Sequence, residues 1–205
     1  MARAGLTVER IVEAAAVMAD ADGVDKVTLS ALARHFGVKD ASLYSHLRNL
    51  AELRTRVALL GARGMNDRIA AAVAGRAGKD AMVAFAHAYR DYALAHPGRY
   101  AAGQFPPDQA DPAVVAASDE PRRSVDLTYG MLRGYGLAEP DLTDAGRLLR
   151  STFHGYVHLQ TSGGFGHPRA VDASFARTLE ALHRTLTNWP STPEPHPEAE
   201  SRPHD

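Results

Sequence analysis

Residues 28–46 read TLSALARHFGVKDASLYSH, two short apolar-periodic segments separated by a glycine. Leu29, Leu32, Ala33 and Phe36 recur at helical spacing behind Thr28, whose hydroxyl is suited to cap the first turn. Gly37 ends that helix, because glycine takes the left-handed conformation without a Cβ clash and lets the chain turn sharply. In the second helix Leu43 and Leu47 face inward, leaving Lys39, Asp40, Ala41, Ser42, Tyr44, Ser45 and His46 as a short, mostly polar outer surface. This is the pattern of a helix-turn-helix, whose second helix enters a major groove, and small residues there permit close approach. Ordinary helical hairpins share it, so the flanking segments matter.

Upstream, Thr7 is placed to cap a helix in which Val8, Ile11, Val12, Ala15, Met18 and Ala19 form one apolar stripe. Leu6 and Ile11 have the spacing of a hydrophobic staple, and Gly23 closes the helix. Downstream, Asn49 and Glu52 have capping-box spacing, and from Leu50 a long helix carries Leu53, Val57, Leu60, Met65 and Ile69. Gly61 and Gly64 within it suit close packing or bending.

In this order, residues 19–53 (ADADGVDKVTLSALARHFGVKDASLYSHLRNLAEL) and the long helix after them resemble the N-terminal domain of tetracycline-repressor (TetR) family regulators. The likeness runs from about Thr7 to Leu60 without a gap, and G-V-x-x-x-S-L-Y-x-H at 37–46 is its most specific part. The resemblance implies that Thr28, Tyr44 and His46 lie near DNA phosphates, with Asp40, Ala41, Ser42 and Ser45 nearest the base edges. Family members commonly carry lysine where this chain has Leu50, so Arg48 or Arg54 is the candidate for that phosphate contact. Two residues carry alternatives. Asp40 either accepts from a cytosine amino group or simply favours the positive end of its helix. Tyr44 either meets DNA or packs its ring locally.

With 205 residues, 45% of them apolar, and no cysteine, the chain has room for a small head and a larger core without disulfides, which fits a cytoplasmic setting. No run of about eighteen apolar residues occurs, and Asp20 cuts the alanine-rich stretch near Met18, so neither a membrane span nor a signal peptide is expected. A net charge of −1 argues against a general nucleic-acid coat and for a local footprint. From Arg34 to Arg56 five lysines and arginines face two acids, a balance that a solvated charged face would also show. Arg3 is a further candidate for a phosphate or minor-groove contact.

Beyond Ala74 the pattern is helical throughout, with no repeat. Helices are expected at about Lys79 to His96, Arg99 to Gly103, Asp119 to Tyr135, Asp141 to Ser162 and Val171 to Trp189, with Phe105 to Ala110 a proline-bearing loop. The fold class is all-α: a three-helix helix-turn-helix head over residues 1–48, a helical ligand-binding and dimerisation domain over 49–189, and a disordered, proline-rich tail over 190–205. The last two helices carry stripes of Ala145, Leu148, Leu149, Thr152 and Tyr156, and of Phe175, Leu179, Leu182, Leu186 and Trp189. These suit an intermolecular bundle, and the resemblance implies that the last two helices pair with their symmetry mates as a four-helix dimer interface; a homodimer reading two half-sites is the preferred expectation, the alternative being that both stripes finish the core of a monomer. The run HGYVHLQTSGGFG at 154–166 resembles one C-terminal subtype of the family, marked by its HG motif.

The resemblance further implies a small-molecule effector within the C-terminal domain, and Met65, Phe85, Tyr89, Met131, Phe153 and Tyr156 are the candidate lining residues, or else core packing. His154 and His158 at i and i+4 are spaced for one metal ion, but only the distant His87 or His183 offers further ligands, so interface or core histidines are the preferred account. No nucleophile elbow, phosphate-cradling glycine loop or H-E-x-x-H is present, and no cofactor is expected. The sequence thus reads as a transcriptional regulator that binds a palindromic double-stranded DNA operator and is not an enzyme; that it responds to a small molecule, and acts more in the manner of a repressor, is what the family resemblance implies. The competing reading is a small helical metal-binding or catalytic protein built on His154 and His158.

Overall fold

Caps placed by sequence begin the helices of the head in the computed structural model, which describes residues 5–104 and 110–190. Arg3, the Pro106–Pro107 pair and the tail beyond Pro190 lie outside the described residues. Helix α1 (Val8–Asp22) starts at Thr7, whose Oγ1 accepts the Arg10 N–H at 3.3 Å. Helix α2 (Leu29–Phe36) starts at Thr28, which accepts from Ala31 at 3.1 Å. Gly37, at φ 65°, turns the chain so that the N–H groups of Gly37 and Val38 reach the carbonyls of Arg34 and Ala33, and the free end of α2 is satisfied. Helix α3 (Asp40–Tyr44) follows, then α4 (Leu50–Val73), with Asn49 accepting the Glu52 N–H at 2.8 Å.

Ile11, Ala15, Leu32, Leu43, Leu47 and Leu53 are buried together, so the head closes only with the first turns of α4 added to its three helices. The second body comprises α5 (Gly78–Ala95), α6 (Pro97–Ala102), α7 (Pro112–Ala116), α8 (Glu120–Arg133), α9 (Asp141–Thr161) and α10 (Val171–Thr187). Its core centres on Met82, Phe85, Leu132, Leu149, Phe153 and Phe175. Among the described residues there is no strand.

Two expectations need correction. Helix α7 was not expected: five residues are too few to show a 3.6-residue period, and what builds it is Pro112 at its first turn and Asp111 as cap. The stripes on the last two helices do not wait for a second copy. Phe175, Leu179, Leu182 and Leu186 of α10, with Ala145 and Leu149 of α9, are buried in the chain's own core, and Leu148, Tyr156 and Trp189 pack against it. The two helices need those stripes to cover α5 and α8. Arg90 of α5 secures the arrangement, donating to Gln160 on α9 (2.8 and 3.0 Å) and Asp172 on α10 (2.6 Å) with its guanidinium 4.8 Å from the Phe175 ring centroid.

Helix α6 joins the two bodies. Gly98 lies so close to α1 that a Cβ there would fall 2.0 Å from the backbone carbon of Ala19, and a Cβ on Gly61 of α4 would meet the Arg99 carbonyl at 2.9 Å. Beside this contact Asp20 accepts the Arg99 N–H at 2.9 Å, and its other oxygen lies 3.0 Å from Arg99 Nε and 3.2 Å from His96 Nδ1. Gly61 and Gly64 thus serve close packing, Gly64 against Tyr92, while α4 runs on unbroken. Further along α4, buried Asn66 donates to the Glu120 side chain (2.9 Å) and carbonyl (3.1 Å) and accepts from Ser124 (2.9 Å), which sets the register of α8.

Gly98→Ala is expected to drive a methyl group into backbone that cannot yield, at about 2–3 kcal/mol, or a loss of roughly 5–10 °C in unfolding midpoint by circular dichroism. Gly130→Ala, where nothing lies within 4 Å of the new Cβ, is expected to be neutral or slightly stabilising. Equal midpoints for the two variants would remove the α1–α6 contact from the account.

Candidate nucleic-acid interface

Leu43 and Leu47 anchor α3 in the head at 0% and 2% exposure, and the alternation this imposes turns Ala41, Ser42, Tyr44 and Ser45 outward. Tyr44 is 57% exposed, so its ring is not consumed by packing. Ser45 donates to the Ser42 carbonyl at 2.8 Å, which holds its hydroxyl oxygen in place with acceptor capacity remaining. Thr28 and Lys39 are exposed at the starts of α2 and α3, and His46 is half-buried. Because Thr28 accepts the Ala31 N–H, its own O–H remains a donor.

Asp40 accepts from Ser30 Oγ at 2.6 Å, tying α3 to α2. Sequence reasoning missed Ser30; a partner on a different helix leaves no mark in local periodicity. Arg48 is 61% exposed in its side chain and lies between carboxylates, with Nε 3.2 Å from Glu52 and a terminal nitrogen 2.5 Å from Asp111. The capping box closes one residue early: Glu52 accepts the backbone N–H of Arg48 at 2.8 Å and the Arg56 Nε–H at 2.9 Å. Burial works to raise the Glu52 carboxyl, but the Arg48 N–H and the Arg56 guanidinium prevail and hold it below the usual carboxylate range. For Asp111 burial likewise opposes, and the Arg48 guanidinium prevails.

The six candidate ligand residues share the C-terminal core. Phe85, Met131 and Phe153 are buried, and Met65, Tyr89 and Tyr156 pack against them. Phe153 lies 6.2 Å from Phe85 and 5.8 Å from Tyr89, centroid to centroid. None of the six lines the open cleft of about 910 Å³ between α1 and the α4–α7–α8 face, nor the smaller one of about 480 Å³ beside Val17 and His35. The structure adds a polar chain that the sequence did not reveal: the Tyr89 and Tyr100 hydroxyls are 2.9 Å apart, and the Tyr100 hydroxyl is 2.6 Å from His154 Nδ1. Burial raises both tyrosines above the ordinary phenol value, so they stay neutral.

His154 and His158 lie with rings nearly parallel, 6.1 Å apart. His87 packs edge-on against Phe175, and His183 hydrogen-bonds Tyr135, so neither joins the pair. Among the described residues no group of three or more His, Cys, Asp or Glu side chains is arranged to hold a metal ion.

Residues 82–182 match the model of the Tetracyclin repressor-like, C-terminal domain. The HTH-type transcriptional regulator YobS of Bacillus subtilis (strain 168) is 37% identical over 181 residues, spanning 88% of this chain and 92% of its own. An HTH-type transcriptional regulator of Mycobacterium tuberculosis is 37% identical over 161 residues, 78% of this chain and 72% of its own. In fold the chain is similar to BioQ, solved with its double-stranded DNA operator, at a TM-score of 0.64 and 22% identity over 90% of this chain and 99% of that one.

Burial, then the charges of His158 and Arg150, depress the His154 pKa below its ordinary 6.5. The unfolded chain therefore takes up this proton first, and the stability that neutral His154 contributes is complete above pH 6.5 and lost as pH falls from there through the folded value. Urea midpoints are expected to fall between pH 7.5 and 5.5, and less steeply in His154→Gln, which keeps an acceptor for Tyr100. Parallel slopes for the two proteins would contradict this.

Proposed function

The chain belongs to the tetracycline-repressor family of helix-turn-helix transcriptional regulators, and on that premise we propose that it is a ligand-responsive repressor that binds a palindromic operator as a homodimer in the cytoplasm. The observation that carries the reading is the outer face of α3, small and polar around exposed Tyr44 and rigidly backed by Leu43 and Leu47. Thr28, Lys39, Tyr44, His46 and Arg48 stand at its margins, where phosphates pass. Ala41, Ser42 and Ser45 occupy its centre, where base edges are read, and Asp40 beside them orients α3 through Ser30.

The homodimer rests on the outward faces of α9 and α10, which keep Gly155 and the exposed Leu159, Ala173, Ala176 and Ala181 after the core has taken the larger residues. Small side chains let helices from a second copy approach, and two heads then address half-sites about one helical turn apart. The effector site lies among Met65, Phe85, Tyr89, Met131, Phe153 and Tyr156, where the Tyr89–Tyr100–His154 chain supplies the polar groups an otherwise apolar site needs. A ligand that engages Tyr100 acts on α6, and α6 holds α1 through Asp20, so its differential affinity for two settings of α6 shifts the heads. Among the described residues no helix is long and apolar enough to cross a membrane.

Selection of duplexes from a random pool is expected to enrich a palindromic or pseudo-palindromic site, bound by a species of twice the chain mass in sedimentation. Tyr44→Ala is expected to weaken binding to every duplex, whereas Ser42→Ala and Ser45→Ala change which sequences are preferred. No enriched site, or three variants indistinguishable from the parent, would overturn the reading.

A further inference from the structure

Arg48 sits just beyond α3, and the two acids that hold it come from different parts of the chain. Glu52, on α4, takes both its backbone N–H (2.8 Å) and its Nε (3.2 Å), so the residue is gripped at both ends. Asp111 comes from the C-terminal domain and is itself fixed: its backbone N–H donates to Thr55 Oγ1 at 2.8 Å, and its Oδ1 accepts from Ala113 and Val114 at 3.1 and 3.3 Å. Only Oδ2 is left for Arg48, at 2.5 Å. The carboxylates are nearly buried, 5% and 8% exposed, while the arginine is 61% exposed, so the acids lie on the protein side of the guanidinium. A guanidinium has five N–H donors in a rigid fork, and the two bonds to acids leave donors on the solvent side.

We propose that Asp111, although outside the helix-turn-helix, is a positioning residue for duplex binding: with Glu52 it braces Arg48 so that the remaining N–H groups form a ready contact for a DNA backbone phosphate. The inference rests on the duplex reading above. An unbraced arginine would have to give up its rotamer freedom on binding, and the two carboxylates have already removed it. The contact governs affinity and not sequence choice, because phosphates are the same at every step. Since Asp111 also caps α7, any displacement of that helix changes the hold on DNA.

The test titrates the full chain and its variants against the selected duplex and an unrelated one across a range of salt. Asp111→Asn keeps the oxygen that caps α7 and the N–H that binds Thr55, and replaces the oxygen facing Arg48 with an uncharged amide NH2 that cannot accept; Asp111→Ser leaves no oxygen there at all and keeps a shorter cap. Each is expected to weaken binding to both duplexes by about three- to tenfold. Arg48→Gln is expected to weaken it at least as much and to lower the slope of log K against log salt by about one. In the Arg48→Gln background the Asp111 substitutions are expected to have no further effect. Unaltered or tighter binding by both folded Asp111 variants, or equal losses with and without Arg48, would overturn the proposal. If Tyr44→Ala still weakens binding in that case, the duplex reading stands and only the role of Asp111 falls; if the parent binds no duplex, both fall.

Discussion

Helix α6 can lie on α1 because Gly98 has no side chain, and the tie between the two bodies of this molecule is built around that contact. With the backbones touching, Asp20 accepts from the Arg99 N–H, pairs with the Arg99 guanidinium and meets His96, a set of contacts that a single added methyl would separate. Ala102 of the same helix is buried in the head's core, while Tyr100 reaches the other way to Tyr89 and His154. Six residues therefore belong to both bodies, and a shift of α6 is felt in each.

Helix α4 is the second link, and its polar residues distribute the work along its length. Near its start, Glu52 and Thr55 hold Arg48 and Asp111; at its middle, Gly61 accommodates α6; further on, Asn66 fixes α8. Buried polar groups contribute little net stability, but an unpartnered one is costly, so each of these contacts permits one register and penalises the others. The head is thus tied to the C-terminal domain by directional contacts spaced along α4 and α6.

Local chemistry made much of the head legible. Thr7, Thr28, Asn49, Gly23 and Gly37 act within a turn of their own positions, so their roles follow from spacing, and the inward positions of Leu43 and Leu47 settle which residues of α3 face out. Contacts across long sequence separations were not legible. Ser30 with Asp40 and Tyr100 with His154 join residues on different helices, Arg48 with Asp111 joins two connecting segments, and each partner alone is an ordinary polar residue. The stripes of α9 and α10 are legible as apolar faces, but a face that must be covered does not say by what; the rest of the same chain covers them.

What the sequence by itself determined is the longer helices, the caps of the head and the outward surface of α3, because hydrogen bonds and side-chain periodicity within one helix depend on neighbours a few positions away. What only the tertiary structure decided is which helices share a core, that Gly98 brings α6 onto α1, and that Asp111 reaches Arg48. Those outcomes depend on distances between residues far apart in the chain, and such distances exist only once all the apolar faces have been packed at the same time.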